Sequence, residues 1–117
     1  MQGQSNLSIH TGDIFLVKFH PGFGREFQKY RPAVIVSDKI TRIDPRFALI
    51  APFTTDTNTA DSARELLIHR NSALEKDSLL LSWYLWTIDT TRLVRKLGNL
   101  STSDKERMKE AVRTCLA

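Results

Sequence analysis

Five short apolar segments, spaced by turn-forming residues, mark the first three-quarters of the chain. Ile14-Phe15-Leu16-Val17, followed by Phe19, reads as a buried strand entered from Thr11-Gly12-Asp13. From His20 to Tyr30, Pro21, Gly22 and Gly24 sit among polar residues, the composition of a long loop. Pro32 pushes Arg31 away from helical backbone, and Ala33-Val34-Ile35-Val36 continues as a β-rich run. Phe47 to Ala51 predicts a third strand, stopped at Pro52, and Thr54 to Asp61 has loop composition. Glu65 to His69 predicts a fourth strand and Ser78 to Ile88 a long fifth one.

The period then changes. Met108, Ala111, Val112, Cys115 and Leu116 fall at helical spacing, and either Ser101 or Ser103 can cap the helix. Several short strands and one terminal helix predict a mostly β, mostly antiparallel barrel in a single domain over residues 1–117. The strand–helix alternation of a doubly wound fold is missing, as are a Walker loop and a GxGxxG.

Composition narrows the class. The chain has 117 residues, 41% of them apolar and 26% charged, which fits an ordinary globular domain rather than a disordered one. A single cysteine, Cys115 on the apolar stripe, excludes a disulfide framework and a cysteine zinc cage. No apolar run approaches a membrane span, and the polar N-terminus is not signal-like, so the expected location is cytoplasmic with no membrane partner. The net charge of +4 lies wholly in residues 91–117, where 7 Lys+Arg face 3 Asp+Glu. Such a segment is either a solvated helix face or an attractor for phosphates or an acidic protein tail.

Ordered motifs carry the reading further. Gly12-Asp13-Ile14, Pro21-x-x-Gly24-x-Glu26 and Arg31-Pro32-Ala33-Val34-Ile35-Val36 are followed by Ala51-Pro52-Phe53-Thr54-Thr55. Thr87-Ile88-Asp89-x-x-Arg92-Leu93 and Gly98-x-Leu100-Ser101 complete the series ahead of the last helix. Together they resemble the MazF/PemK family of toxin ribonucleases over nearly the whole chain from residue 12. The resemblance implies a small, partly open SH3-like barrel, a homodimer, and metal-independent, cofactor-free cleavage of single-stranded RNA. It also implies a cognate antitoxin whose flexible, often acidic segment blocks the RNA groove.

Cleavage by the RNA's own 2′-hydroxyl needs a base, an acid for the leaving 5′-oxygen, and donors for charge growing on the phosphoryl oxygens. Arg31 matches the family's Arg-Pro motif, and a guanidinium holds two phosphate oxygens while staying charged. Thr54 matches the threonine after Pro-x; its hydroxyl can donate to the phosphoryl group or position the 2′-OH. Glu26, the acid of the Gly-x-Glu loop, is the proton acceptor of first choice, with His20 as the alternative base. Arg25, Thr55, Trp86 and Asp89 join His20 as candidate RNA contacts. Each also has a plain structural reading: a turn threonine, a loop carboxylate beside Arg25 or Lys29, or an Asp89–Arg92 pair bracing a strand end.

Two positions depart from the family pattern. Arg25 stands where a small polar residue or His is frequent, and Trp86 where many relatives carry an Arg. A tryptophan there removes one phosphate contact but can stack on a base. Trp83, three residues earlier, lies on the opposite face of a regular strand, so the two rings are not expected to form one platform. Two other readings compete: a degenerate relative that binds RNA or antitoxin without cutting, and a gyrase-inhibiting toxin like CcdB.

Overall fold

The computed structural model describes residues 8–19, 30–57 and 65–116. Strands β1 (Asp13–Lys18) and β2 (Tyr30–Ser37) lead to a short helix α1 (Lys39–Ile43) and then β3 (Phe47–Thr54). Next come β4 (Glu65–Ile68), β5 (Ser78–Leu81) and β6 (Trp86–Asp89). A 3₁₀ turn (Thr90–Arg92) feeds β7 (Leu93–Asn99), and helix α2 (Thr102–Leu116) follows. The strands form one antiparallel sheet in the order β4-β5-β3-β2-β1-β7, with β6 also on β3, and the sheet does not close on itself. The open, mostly β architecture expected from the sequence is thus present.

The apolar runs are continuous rather than alternating because the central strands bury both faces. Ile14, Val34, Ala51 and Phe53 pack on one side with Met108 and Ala111 of α2. Their strand neighbours Phe15, Ala33, Ile35 and Ile50 pack on the other with Ile88 and Leu93. No helix among the described residues is long and apolar enough to cross a membrane.

Two sequence expectations need correction, and one strand was not anticipated. β3 does not stop at Pro52 but runs on to Thr54. Along the edge of β3 that β6 and β5 share, residues 51 and 52 have no strand partner. Such a break in a ladder tolerates a residue without an N–H. The long fifth strand is two strands. Between Ile50 and Phe53, three steps of β3, the partner chain takes six, from Trp86 back to Leu80. The surplus is extruded as a turn carrying Trp83 and Tyr84. Finally, β7 escapes the apolar pattern. As an edge strand paired only with β1, it exposes Val94, Arg95 and Lys96 in succession.

The helix entry resolves the capping choice. The Asp104 N–H donates to Ser101 Oγ at 3.1 Å, making Ser101 the cap, and Asp104 sits in the first turn where the helix dipole favours an anion. Gly12 joins this entry to the sheet: its N–H donates to Ile35 O and its carbonyl accepts from Leu100 N, both at 2.8 Å. Its φ of +91° is one that residues with a Cβ rarely adopt, so the backbone itself calls for glycine, whatever room the flexible Lys105 side chain could yield.

Candidate active site

β2 and β3 bring two of the predicted catalytic residues together. Ala33 faces Pro52 and Val34 faces Ala51, and carrying this register on by two residues sets Arg31 opposite Thr54. The Arg31 guanidinium Nη1 donates to the Phe53 carbonyl oxygen at 3.0 Å, tying the side chain to the backbone just before Thr54. Pro32 keeps Arg31 extended, so the pairing with Val17 of β1 continues to this point. Thr54 ends its strand, pairs with Leu79 on the other edge, and accepts the Asp56 N–H on its Oγ1 at 3.2 Å. Both side chains are half-buried, so the pair stands at the rim of the barrel with one side toward solvent.

The remaining candidates fall elsewhere. Thr55 is exposed and begins the loop after β3. His20, Arg25 and Glu26 lie outside the described residues. Trp86 pairs with Ile50, four residues before Thr54, or about 13 Å along the strand. Ile50, Pro52 and Thr54 share one face by strand alternation, and Trp86 packs against the core on Ile50's side. Asp89 faces Phe47, at the far end of β3 and roughly 23 Å from Thr54.

Asp89 is built into its own turn. Its Oδ1 accepts the Thr91 N–H at 2.9 Å and the Thr91 hydroxyl at 2.8 Å. These bonds, the backbone one foremost, hold its carboxyl below the ordinary aspartate range, with the Arg92 and Arg46 charges adding to them. The expected Asp89–Arg92 brace takes another form, since the Arg92 guanidinium donates to the Lys18 carbonyl at 3.2 Å and so ties the turn to the end of β1.

The aromatic residues also differ from expectation. Because Trp83 lies on the extruded turn rather than in a regular strand, alternation does not separate it from Trp86. Tyr84 lies between them, 5.1 Å from the Trp83 ring and 5.3 Å from Trp86, stacked on the latter at 22°. Trp83 is 45% exposed. Its indole N–H donates to Glu65 Oε2 at 2.9 Å.

Sequence reasoning missed a groove on the other flank of Thr54. It encloses about 690 Å³, and Thr55, Thr57, His69, Arg70, Lys76 and Asp77 line it together with Glu75. Asp77 organises it: Oδ1 accepts the Arg70 N–H at 2.8 Å and Oδ2 lies 3.7 Å from His69 Nδ1. The Arg70 backbone bond, first, and the His69 charge lower the Asp77 pKa. The groove joins residues from three segments at no fixed spacing, so no motif announces it.

Comparison with known proteins fits this arrangement. The profile of a family described as PemK-like, MazF-like toxin of type II toxin-antitoxin system matches residues 10–116. The chain belongs to that family. It is 27% identical over 110 residues to the endoribonuclease MazF9 of Mycobacterium tuberculosis, covering 90% of this chain and 93% of that protein. It is 27% identical over 111 residues to the endoribonuclease EndoA of Bacillus subtilis, covering 93% and 95%. The endoribonuclease MazF of Staphylococcus epidermidis is 31% identical over 96 residues, covering 81% and 80%. Among solved structures, MazF from Deinococcus radiodurans superposes with a TM-score of 0.77 at 15% identity, covering 95% of this chain and 98% of that one. A mycobacterial endoribonuclease in complex with its cognate antitoxin superposes at 0.72 with 16% identity, covering 93% and 95%. These two structures show that the PemK/MazF chain described here shares their fold.

Proposed function

We propose that this PemK/MazF chain is the toxin of a type II toxin-antitoxin system, a sequence-specific endoribonuclease that cuts single-stranded RNA without a metal ion. The observation that carries the reading is the meeting of Arg31 and Thr54 across β2 and β3, with Arg31 fixed on the Phe53 carbonyl. In the reaction, the RNA 2′-oxygen forms a bond to phosphorus as the bond to the 5′-oxygen breaks. The base takes the 2′-hydroxyl proton and an acid protonates the leaving oxygen. The products are a 2′,3′-cyclic phosphate and a 5′-hydroxyl.

Arg31 stabilises the charge on the phosphoryl oxygens, and Thr54 donates to them or orients the 2′-OH. The base is Glu26 or His20. Thr55 and Trp86 contact the strand on either side, and Arg25 adds a phosphate contact. DNA lacks the nucleophile and is not a substrate. The working species is a homodimer, and a cognate antitoxin occupies the RNA groove; the antitoxin-bound mycobacterial structure supports such a partner.

The test is incubation with mixed-sequence single-stranded RNA in EDTA, beside Arg31→Ala protein and an all-DNA strand, with product ends read by mass. RNA-only cleavage to cyclic phosphate, lost in the variant, is expected. Parent protein that binds RNA but leaves it whole would overturn the nuclease assignment in favour of a binding relative. Inhibition of DNA supercoiling without RNA cleavage would favour the gyrase-directed reading.

A further inference from the structure

We infer that the groove lined by His69, Arg70 and Lys76 holds the backbone phosphates of the RNA that flank the cleaved step. This inference rests on the nuclease reading above for the identity of the bound strand, but its test does not. Thr55 lines the groove, and its Cα lies one peptide step, about 3.8 Å, from that of Thr54. The groove thus begins one residue from Thr54, within reach of a strand seated there.

Within α2, Arg107, Lys109 and Arg113 pair with Asp104, Glu106 and Glu110, so the basic excess of the last quarter rests on Arg92, Arg95, Lys96 and Lys105. Lys96 of β7 pairs with the buried Asp13 at 3.2 Å. Arg70 and Lys76 are exposed, and neither side chain has an ion-pair partner among the described residues. Asp77 is committed to the Arg70 N–H and to His69 and also feels the Arg70 charge, so it fixes the groove's shape while its charge is offset. Glu75 opposes an anion here; it also borders the neighbouring pocket that contains Arg95. Two cations, an imidazole and two threonine hydroxyls along an open groove suit successive phosphates, which accept hydrogen bonds as well as charge.

Binding is read by fluorescence anisotropy on a labelled single-stranded RNA carrying 2′-O-methyl groups, which blocks cleavage, between 50 and 200 mM salt. Each lost phosphate contact lowers the slope of log affinity against log salt by about 0.7 on a single strand. Arg70→Ala/Lys76→Ala is expected to lower it by about 1.4, while the Lys109→Ala/Arg113→Ala control on α2 leaves it unchanged. Glu75→Gln, which removes a repelling charge and no structural bond, should tighten binding two- to five-fold, roughly the gain from relieving one like-charge contact. A slope unchanged in the groove variant, with circular dichroism showing it folded, overturns the inference; so does Glu75→Gln with parental affinity. An acidic decapeptide that loses binding in the groove variant while RNA does not would also overturn it, assigning the groove to a protein segment. If parent protein fails to cut any RNA yet the slope falls as expected, the nuclease reading fails and the groove stands.

Discussion

The two ends of β3 present the same kind of backbone to opposite rims of the barrel, but their charged groups are committed differently. At its start, the charged groups satisfy one another. Arg46 grips Asp44 through Nε and Nη2, holding that carboxyl at about 2, and lies 5.4 Å above the Phe47 ring. Asp89 closes on Thr91, and the Thr90 N–H and hydroxyl bond the Arg46 and Pro45 carbonyls. At the other end, Arg31 is anchored to one carbonyl beside Thr54, and the next residue opens into the groove. On the function proposed above, a family motif combines residues that act with residues that hold the fold, and hydrogen-bond commitments separate the two kinds.

Removing Arg31 is the strongest way to test that contrast. Arg31→Ala is expected to lower cleavage by about 10²–10³, the usual effect of deleting one donor to a developing oxyanion. The loss should appear in kcat, with thermal unfolding close to that of the parent because the side chain is only half-buried. Thr54→Val comes next, at roughly 10- to 100-fold, or about 1.4–2.7 kcal/mol of barrier. Thr54→Ser retains the Oγ that accepts the Asp56 N–H and should recover most of the activity. Parental rates in both Arg31→Ala and Thr54→Val would place the chemistry elsewhere.

Trp86 lies between the two ends and sharpens the comparison. Its ring packs on the Phe15–Ile50 core and stacks on Tyr84, so Trp86→Ala should cost about 2 kcal/mol of stability, less than full burial would imply. Trp86→Arg, which restores the residue many relatives carry, should be destabilised to a similar degree without cutting faster. A rise in cleavage would show that the tryptophan replaced a needed phosphate contact.

Much of this was legible in the sequence. Runs such as Ala33–Val36 marked the central strands, and the spacing of Met108 and Ala111 marked the face of α2 that is buried. The Arg-Pro and Pro-Phe-Thr motifs pointed to two residues that one strand register then joined. Features governed by pairing rather than by local pattern were harder to read. β7 is polar because an edge strand has one neighbour and a solvated face. The break after Leu81 depends on β3 accepting two partners along one edge. The Asp77 groove depends on where β4 and β5 bring their ends, which no spacing of His69, Arg70 and Lys76 discloses.

The smallest expected effect concerns Asp89, at the structural end of β3. Asp89→Ala removes an acceptor from the Thr91 amide and hydroxyl, a cap-like loss of about 1 kcal/mol, to be read from denaturant unfolding. Asp89→Asn keeps the acceptor and should retain most of that stability. The pH dependence has a definite sign. Because the folded-state pKa values of Asp89 and Asp44 are depressed, their contribution is complete above the unfolded value near 3.9 and fades as pH falls toward about 2, the folded value of Asp44. Asp89→Ala should therefore fall short of the parent at pH 6 and approach it as pH falls below the ordinary aspartate range. Cleavage by the folded protein should stay within about twofold, a difference of roughly 0.4 kcal/mol in barrier. A large rise in KM with Asp89→Asn, at unchanged stability, would instead show that the second carboxylate oxygen reads the RNA and that both ends of β3 serve the substrate.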